Sequence, residues 1–574
     1  MPGGLASRPR LAGMASLPAR LGARIRAATG LDPELRPATK PQFGHFQSNV
    51  ALRLGKERGR NPREVAAEIV ARLDVAGLCE PPEIAGPGFL NFRLTRDVLA
   101  EAVNETLDDT AHDGIAPVPA PQRVVVDYSS PNVAKQMHVG HLRTTIIGDC
   151  FARVLRAVGD EVIPQNHLGD WGRQFGMLIE QIREEDLDLD KLDLAGAEEL
   201  YKRANAHLEA DPDFADRARA RVVALQGADE ATRAVWRRLI AISMAGFNRT
   251  YARLGVLLTD DDLAGESMYN AMLDGICDDL QSRGIAVVDD GALIVRAEGF
   301  DAPAILRNSA GGYGYDVTDV AAVKHRVENL GATRLVYVTD ARQAGHFALV
   351  FAVARRAGYL PDGVSAEHVG YGMVLGPDGR PFRTRDGLAA HLDDLLDEAE
   401  QISSPEVALA AIKYADLSNQ LQKDYVFDPS RMTQTTGDTG PYLQYAHARV
   451  SQILRRALAE EDLDCGDGSG GPGVPEPRAA WRVTRLDESA EQDLALWLTR
   501  FGEAVDEVAT KLTPHKLCIY LYELAGKLSV FYEQCPVLKS EGEVRTSRLA
   551  LCAATQVVLA RGLSLLGIPA PERM

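Results

Sequence analysis

PNVAKQMHVGHLRTT, Pro131 to Thr145, follows an apolar β-type run, Val124, Val125 and Val126, and passes into a segment with helical spacing. A strand that opens onto a helix through a tight turn leaves backbone N–H groups free. It also turns the positive end of the helix dipole toward the opening, and the two together attract phosphate. His138 and His141 stand three apart, on one face of the helix start. Imidazoles so placed can donate hydrogen bonds to the charge developing on a pentavalent phosphate, and Gly140 lets an adenine ring approach backbone that a Cβ would block. Two histidines near a helix start also serve as a cap and a satisfied polar pair, so the tetrapeptide needs its context.

That context is full. The HxGH pattern resembles the signature of class I aminoacyl-tRNA synthetases, and its flanks, Ser129, Ser130, Asn132, Lys135, Arg143 and Thr144, resemble the arginyl-tRNA synthetases in particular. Further segments of the same resemblance recur in order: FGHFQSNVA from Phe43, GPGFLNF from Gly86, NHLGDWGRQFG from Asn166, GES from Gly265, TDARQAGH from Thr339, GMVLGPDGRPFRTRDG from Gly372 and DTGPYLQYAHAR from Asp438. They span nearly the whole chain.

Bulk properties agree with a cytoplasmic multidomain enzyme. The chain has 574 residues, 45% hydrophobic and 25% charged, and no apolar run is read as reaching the roughly 20 residues that cross a bilayer. The opening is Arg-rich (Arg8, Arg10, Arg20, Arg24, Arg26) but lacks a secretory-type apolar core; it reads as a lead-in to a helix, with Met14 an alternative start. Seven scattered cysteines with no CxxC pair point to buried thiols and to no zinc or disulfide. A net charge of −18 is unfavourable for holding a polyanion, so tRNA binding is expected to use local basic tracks and to weaken steeply with salt.

Three regions can be drawn. Residues 1–121 hold helical stretches and a strand near Phe89 to Leu94, closed by the linker APVPAPQ; the resemblance implies an additional α+β domain that contacts the tRNA elbow. Phe89 and Asn91 match positions that touch the D-loop, although Phe89 suits a strand core equally well. Residues 122–404 alternate β-type runs (VVVDY from Val124, EVIPQN from Glu161, RLVYVTD from Arg334) with helical ones. This is the pattern of a Rossmann-like, doubly wound parallel sheet, with a charged helical insertion near 184–238. Residues 405–574 read as an all-α bundle, resembling an anticodon-binding domain, with GDGSGGPGVPEP (466–477) as a surface loop.

Joining a carboxylate to adenylate needs positioning and charge neutralisation, with no protein nucleophile. His138 and His141 fit as donors to the reacting phosphates. The resemblance also places His138, Gly140, His141, Met373 and Thr384 around ATP, which enters with Mg²⁺, and it implies no protein-held metal. Class I enzymes carry a mobile KMSKS loop, but here the matching stretch is RPFRTRDG (380–387), without a lysine; the resemblance implies that Lys135 stands in, while Arg383 and Arg385 clamp phosphate oxygens. For arginine it implies that Tyr315 and Asp319 face the guanidinium, Glu266 serves the cationic groups, and Asn132 and Gln343 hold the α-amino end. Tyr442 and Tyr445 form a stripe that elsewhere is usually core; the resemblance sets them with Tyr532 and the terminal Met574 around the anticodon loop.

The expectation is thus a ligase that activates L-arginine with ATP and charges tRNA(Arg); the resemblance further implies a monomer and activation that itself depends on bound tRNA. An RNA-binding protein that has lost catalysis would not need His138, His141, Lys135, Glu266 and Asp319 together. A free-standing nucleotidyltransferase would not need the helical C-terminal region.

Overall fold

The computed structural model describes residues 16–38, 40–227, 229–382, 390–460 and 477–574. The N-terminal unit contains α1 (Leu17–Thr29), β1 (Leu35–Pro37), β2 (Phe46–Ser48), α2 (Val50–Arg58), α3 (Pro62–Arg72), β3 (Glu83–Ala85) and β4 (Phe89–Phe92). The side chain of Ser16 caps α1 by accepting from the Ala19 N–H, with Pro18 in the first turn, and Asn61 with Pro62 repeats the device at α3. Arg20, Arg24 and Arg26 of the basic opening lie in α1. The strands form an antiparallel sheet in the order β1-β2-β4-β3. Strand alternation sends Leu90 and Phe92 into the core and turns Phe89 and Asn91 to the opposite face. The strand ends at Phe92, and Leu94 makes only an isolated bridge to Cys79. Helix α4 (Arg96–Asp108) precedes the Pro-rich linker yet packs on the C-terminal helices, where the Asn104 side chain exchanges two 2.9 Å bonds with the Val483 backbone.

The central region runs β5 (Arg123–Asp127), α5 (Val139–Ala157), β6 (Glu161–Gln165), α6 (Arg173–Glu184), α7 (Leu194–Ala210), α8 (Pro212–Gln226), α9 (Glu230–Leu254), α10 (Asn270–Ser282), β7 (Val287–Asp289), β8 (Ala292–Val295), β9 (Ala304–Arg307), α11 (Tyr315–Glu328), β10 (Arg334–Asp340), α12 (Ala344–Ala357) and β11 (Ser365–Tyr371). Its sheet is parallel, ordered β11-β10-β5-β6. Val124 to Val126 and Leu335 to Val338 are all buried, because helices cover both faces and leave no polar side for alternation to serve. From β5 the chain winds outward to β6, then returns to β10 on the other side. The winding therefore reverses between β5 and β10, and ligands in such sheets bind beyond the strand ends at that reversal. The run from Tyr128 to His138 and the segment from Ala341 to His346 both leave the sheet there. The charged insertion is helical, but α9 continues to Leu254 because Phe247, Tyr251 and Leu254 in its last turns are buried.

The remaining elements are β12 (Val374–Leu375), α13 (Leu392–Glu400), α14 (Pro405–Leu417), β13 (Tyr425–Val426), α15 (Pro429–Met432), α16 (Gly440–Glu460), α17 (Pro477–Ala480), α18 (Ser489–Leu498), α19 (Phe501–Lys511), α20 (His515–Gln534) and α21 (Gly542–Leu565). Beyond Ser404 β13 is the one strand among the described residues, and it pairs in parallel with β12; two residues are too few to write a β-pattern into the sequence. Buried ion pairs tie α14 to α5: Arg143 Nε lies 3.2 Å from Asp416 Oδ2, and Lys413 Nζ 3.9 Å from Asp149 Oδ2. Lys413 also donates to the Gly567 carbonyl at 2.8 Å. Helix α21 is, by length and composition, apolar enough to cross a bilayer, which no run in the sequence made plain; in the fold it is mostly buried among α4, α16, α18 and α20. The Gly- and Pro-rich stretch 466–476 lies outside the described residues.

Candidate active site

The loop from β5 to α5 is held in an unusual backbone. Ser129, Ser130 and Ala134 have φ of 74°, 50° and 61°, a region that costs a side-chain-bearing residue energy unless its surroundings enforce it. The enforcement comes from several elements. Ser129 N–H donates to Thr144 Oγ1 (3.0 Å), Ser130 N–H to Asn166 Oδ1 (3.1 Å) and Ala134 N–H to Ser243 Oγ (2.9 Å), while Ser129 Oγ meets the Tyr251 hydroxyl at 2.7 Å.

At the end of this loop the two histidines are locked. His138 Nδ1 accepts from the Gly140 N–H at 3.0 Å, and His141 Nδ1 accepts from the His138 N–H at 3.1 Å; the ring centroids are 3.9 Å apart. His138 is flanked closely by protein, and that shielding, then His391 and Lys135, lowers its pKa. Burial, and then His138, pushes His141 down to about 3. Both rings are therefore neutral near pH 7. With Nδ1 occupied as an acceptor, each carries its proton on Nε2, so the pair offers two fixed Nε2–H donors. Gly140 has an immediate role in this arrangement, since a Cβ there would sit 2.7 Å from His138 Cε1 and 2.8 Å from Nδ1.

A second cluster is made of carboxylates. Glu266, at the start of a 3₁₀ turn, has its pKa raised to about 7 by burial, then by Asp170 and Asp319. Asp170 is held in place by Ser267, whose N–H and hydroxyl donate to its two oxygens at 2.8 and 2.6 Å. Gly265 allows that approach, because a Cβ would lie 2.3 Å from Asp170 Oδ2. Asn132 bridges to Gly169 in the same way, with a missing Cβ 2.4 Å from its Oδ1. Three of the quoted segments thus interlock through glycines. Carboxylates crowded until one holds its proton near neutrality form a site that favours a cation.

The other expected residues fall as follows. Asp319, on α11, accepts from His346 Nε2 at 2.6 Å. Tyr315 opens the same helix, one turn before Asp319, and is 79% exposed. Gln343 is exposed and directly precedes α12. The Lys135 ammonium lies 4.2 Å from the centre of the Tyr201 ring of α7, a cation–π contact. Met373 is exposed just past β11, its N–H donating to Asp424 Oδ1 at 2.6 Å. Arg383, Thr384 and Arg385 lie outside the described residues. Ala390 and His391, past that stretch, are pinned to the histidine motif: Val139 N–H donates to the Ala390 carbonyl at 3.0 Å, and His138 bridges to His391.

Away from the crevice, Tyr442, Tyr445 and Tyr532 line one groove with Arg449, whose guanidinium is 4.1 Å from the Tyr532 ring centre. The carboxy-terminal tail is strapped along α16 by Gln444 to the Pro569 carbonyl, His447 to that of Pro571 and Arg455 to that of Glu572; Met574 at its end is 53% exposed. In the N-terminal sheet Phe89 is half-buried and Asn91 buried, with Gln47 Nε2 donating to Asn91 Oδ1 at 2.8 Å. Asn91 is thus engaged inside the protein, whereas Phe89 keeps an open edge.

Three family models match in order: an arginyl tRNA synthetase N-terminal domain over 17–94, a class I (R) tRNA synthetase catalytic domain over 103–429, and a DALR anticodon-binding domain over 443–574. The chain belongs to the arginyl-tRNA synthetases. It is 65% identical to an arginine–tRNA ligase of Cutibacterium acnes over 98% of this chain and 100% of the other, and 45% identical to one of Thermobifida fusca over 96% and 99%. Among solved structures, the arginyl-tRNA synthetase of Plasmodium falciparum aligns over 98% of this chain and 100% of the other with a TM-score of 0.79 at 26% identity. That of Thermus thermophilus aligns over 97% and 100% with 0.77 at 28%. For an arginyl-tRNA synthetase, sequence reasoning missed Asp170, Ser267 and His346 as site residues. All three lie inside segments quoted above, and their roles become visible only when those segments meet.

Proposed function

We propose that this synthetase joins L-arginine to tRNA(Arg) at the crevice beyond β5 and β10. A carboxylate oxygen of arginine attacks the α-phosphorus of ATP and the bond to pyrophosphate breaks, giving arginyl-adenylate. A hydroxyl of the terminal adenosine of the tRNA then attacks the activated carbonyl and AMP leaves. The observation that carries this reading is the pair of neutral histidines, locked through Nδ1 so that each keeps its Nε2–H as a donor, in a chain whose neighbouring motif segments also form a carboxylate cluster suited to a cation. Losing one preorganised donor of this kind typically costs about 10²–10³ in rate.

In this reading Asp319 and Glu266 meet the guanidinium and other cationic atoms, Tyr315 closes over them from the start of α11, and Asn132 and Gln343 hold the α-amino end. A planar guanidinium facing fixed acids is expected to be preferred over neutral isosteres, which would leave charges unpaired. His138, Gly140, His141, Met373 and Thr384 hold ATP; Arg383 and Arg385 clamp its phosphates, and Lys135 supplies the charge that RPFRTRDG lacks. Magnesium enters with ATP, on the nucleotide phosphates. Phe89 and Asn91 meet the D-loop, and Tyr442, Tyr445, Tyr532 and Met574 meet splayed anticodon bases. We assign the enzyme to the cytoplasm as a monomer.

The test is ATP–pyrophosphate exchange with arginine, with and without tRNA(Arg), on the parent and Lys135→Ala. Exchange only with tRNA, lost in the variant, is expected. Exchange without tRNA would remove the tRNA dependence, and undiminished exchange in Lys135→Ala would remove the substitute lysine.

A further inference from the structure

Asp316 and Asp319 stand three apart in the first turns of α11, and both face one residue of a different helix. His346, in the first turn of α12, donates from Nε2 to Asp319 Oδ2 at 2.6 Å and places Nδ1 3.3 Å from Asp316 Oδ1. A neutral imidazole has one donor and cannot give a proton to both carboxylates, whereas an imidazolium can. The hydrogen bonds to Asp316 and then Asp319 raise the His346 pKa to about 10 against the opposing effect of burial. The positive end of the α12 dipole also disfavours a cation there, so the charged ring is held by the two carboxylates.

The same turn carries Gln343, directly before α12 and three residues from His346. Phe347, next to His346, stacks on His368 of β11 at 5.2 Å and packs on Tyr337 of β10 at 4.9 Å, which anchors the start of α12 to the sheet. Helices α11 and α12 also pack directly on each other, and His346 adds the polar link between their first turns. One planar ring with a bond at each nitrogen sets the distance and orientation of those two turns. A carboxylate has lone pairs enough to accept from a guanidinium while it accepts from His346.

We propose that His346 is a positioning residue that gauges substrate length: by clipping α12 to α11 it holds Asp319 and Gln343 at one separation, matched to arginine and mismatched to its longer homologue. The proposal rests on the reading above that Asp319 takes the guanidinium and Gln343 the α-amino end. Ordinary pockets separate ligands that differ by one methylene by about 10–200-fold, so a rigid gauge has a readable range to lose.

The test compares L-arginine with L-homoarginine, one methylene longer, in tRNA-supported pyrophosphate exchange by the parent, His346→Ala, His346→Gln and Asp319→Asn. In His346→Ala the KM for arginine is expected to rise at least tenfold with a smaller change in kcat, the KM for ATP to hold, and the preference for arginine over homoarginine to fall at least tenfold. His346→Gln keeps one donor and should recover part of that preference; it also carries the test should the alanine variant not fold. A histidine with a merely structural role would lower stability and leave the arginine-to-homoarginine ratio unchanged in both variants, and that result overturns the gauge. If Asp319→Asn leaves the KM for arginine unchanged, the underlying assignment of Asp319 fails and the gauge fails with it. A raised KM in Asp319→Asn beside an unchanged ratio in both His346 variants overturns the gauge alone.

Discussion

Arginine binding should be tightest above neutrality, and the cause is Glu266. Its carboxyl is pushed up to about 7 in the empty site by burial, then by Asp170 and Asp319, so near pH 6 most molecules hold a proton where the substrate needs a charge. If arginine binds the ionised form alone, the apparent Kd is the intrinsic value multiplied by one plus the ratio of protonated to ionised carboxyl. That factor is about 11 at pH 6, about 2 at pH 7 and about 1.1 at pH 8, a tightening of roughly tenfold across the range. His346, raised to about 10, keeps its charge throughout this window and does not add to the slope. The same shift acts on folding with the opposite sign. A carboxyl raised from 4.5 to about 7 on folding contributes stability below pH 4.5 that is lost as pH rises toward 7, and arginine should restore it. Calorimetric titration at constant ionic strength, in buffers of differing ionisation enthalpy, reads both affinity and protons released. The parent should release close to one proton per arginine near pH 6 and almost none at pH 8, while Glu266→Gln should bind weakly with no pH slope. A flat affinity in the parent, or an unchanged slope in Glu266→Gln, would refute the reasoning.

Two further outcomes follow from other parts of the molecule. Gly140→Ala must displace the His138 ring, which a Cβ would approach to 2.7 Å, and so removes one locked donor; single-turnover adenylate formation should slow by about 10²–10³ while the melting temperature barely moves. Tyr445→Ala, at a position 46% exposed in the aromatic groove, should lose one stacking contact of about 1–3 kcal/mol, raising the KM for tRNA in aminoacylation roughly 5- to 150-fold and leaving arginine binding unchanged.

The fold was legible in the sequence where period and burial agree. Val124 to Val126 and the run from Arg334 announce buried parallel strands. Less of the site was legible, for physical reasons. Gly140 was read for its room for adenine, whereas the nearer constraint is the ring of His138, a contact that depends on a side-chain rotamer no sequence pattern specifies. Asp170, Ser267 and His346 act on partners 97 and 27 residues away, and only the closed fold brings these together. RPFRTRDG, from Arg383 onward, lies outside the described residues, and the roles given to its arginines rest on the sequence resemblance.

The buried pairs Arg143 with Asp416 and Lys413 with Asp149 bear on how this enzyme can be taken apart. Each joins the helix that begins at the histidine motif to α14, a helix on the far side of the apparent boundary at residue 404. A chain cut there would strand a guanidinium and a carboxylate in an apolar seam, and breaking a buried pair in this way typically costs about 3–5 kcal/mol. A joint after Val426 lets Lys413 and Asp416 travel with the catalytic half when anticodon modules are exchanged between relatives. A chimera joined earlier keeps these pairs only where the incoming helix carries the same lysine and aspartate, whatever its fit to the new anticodon.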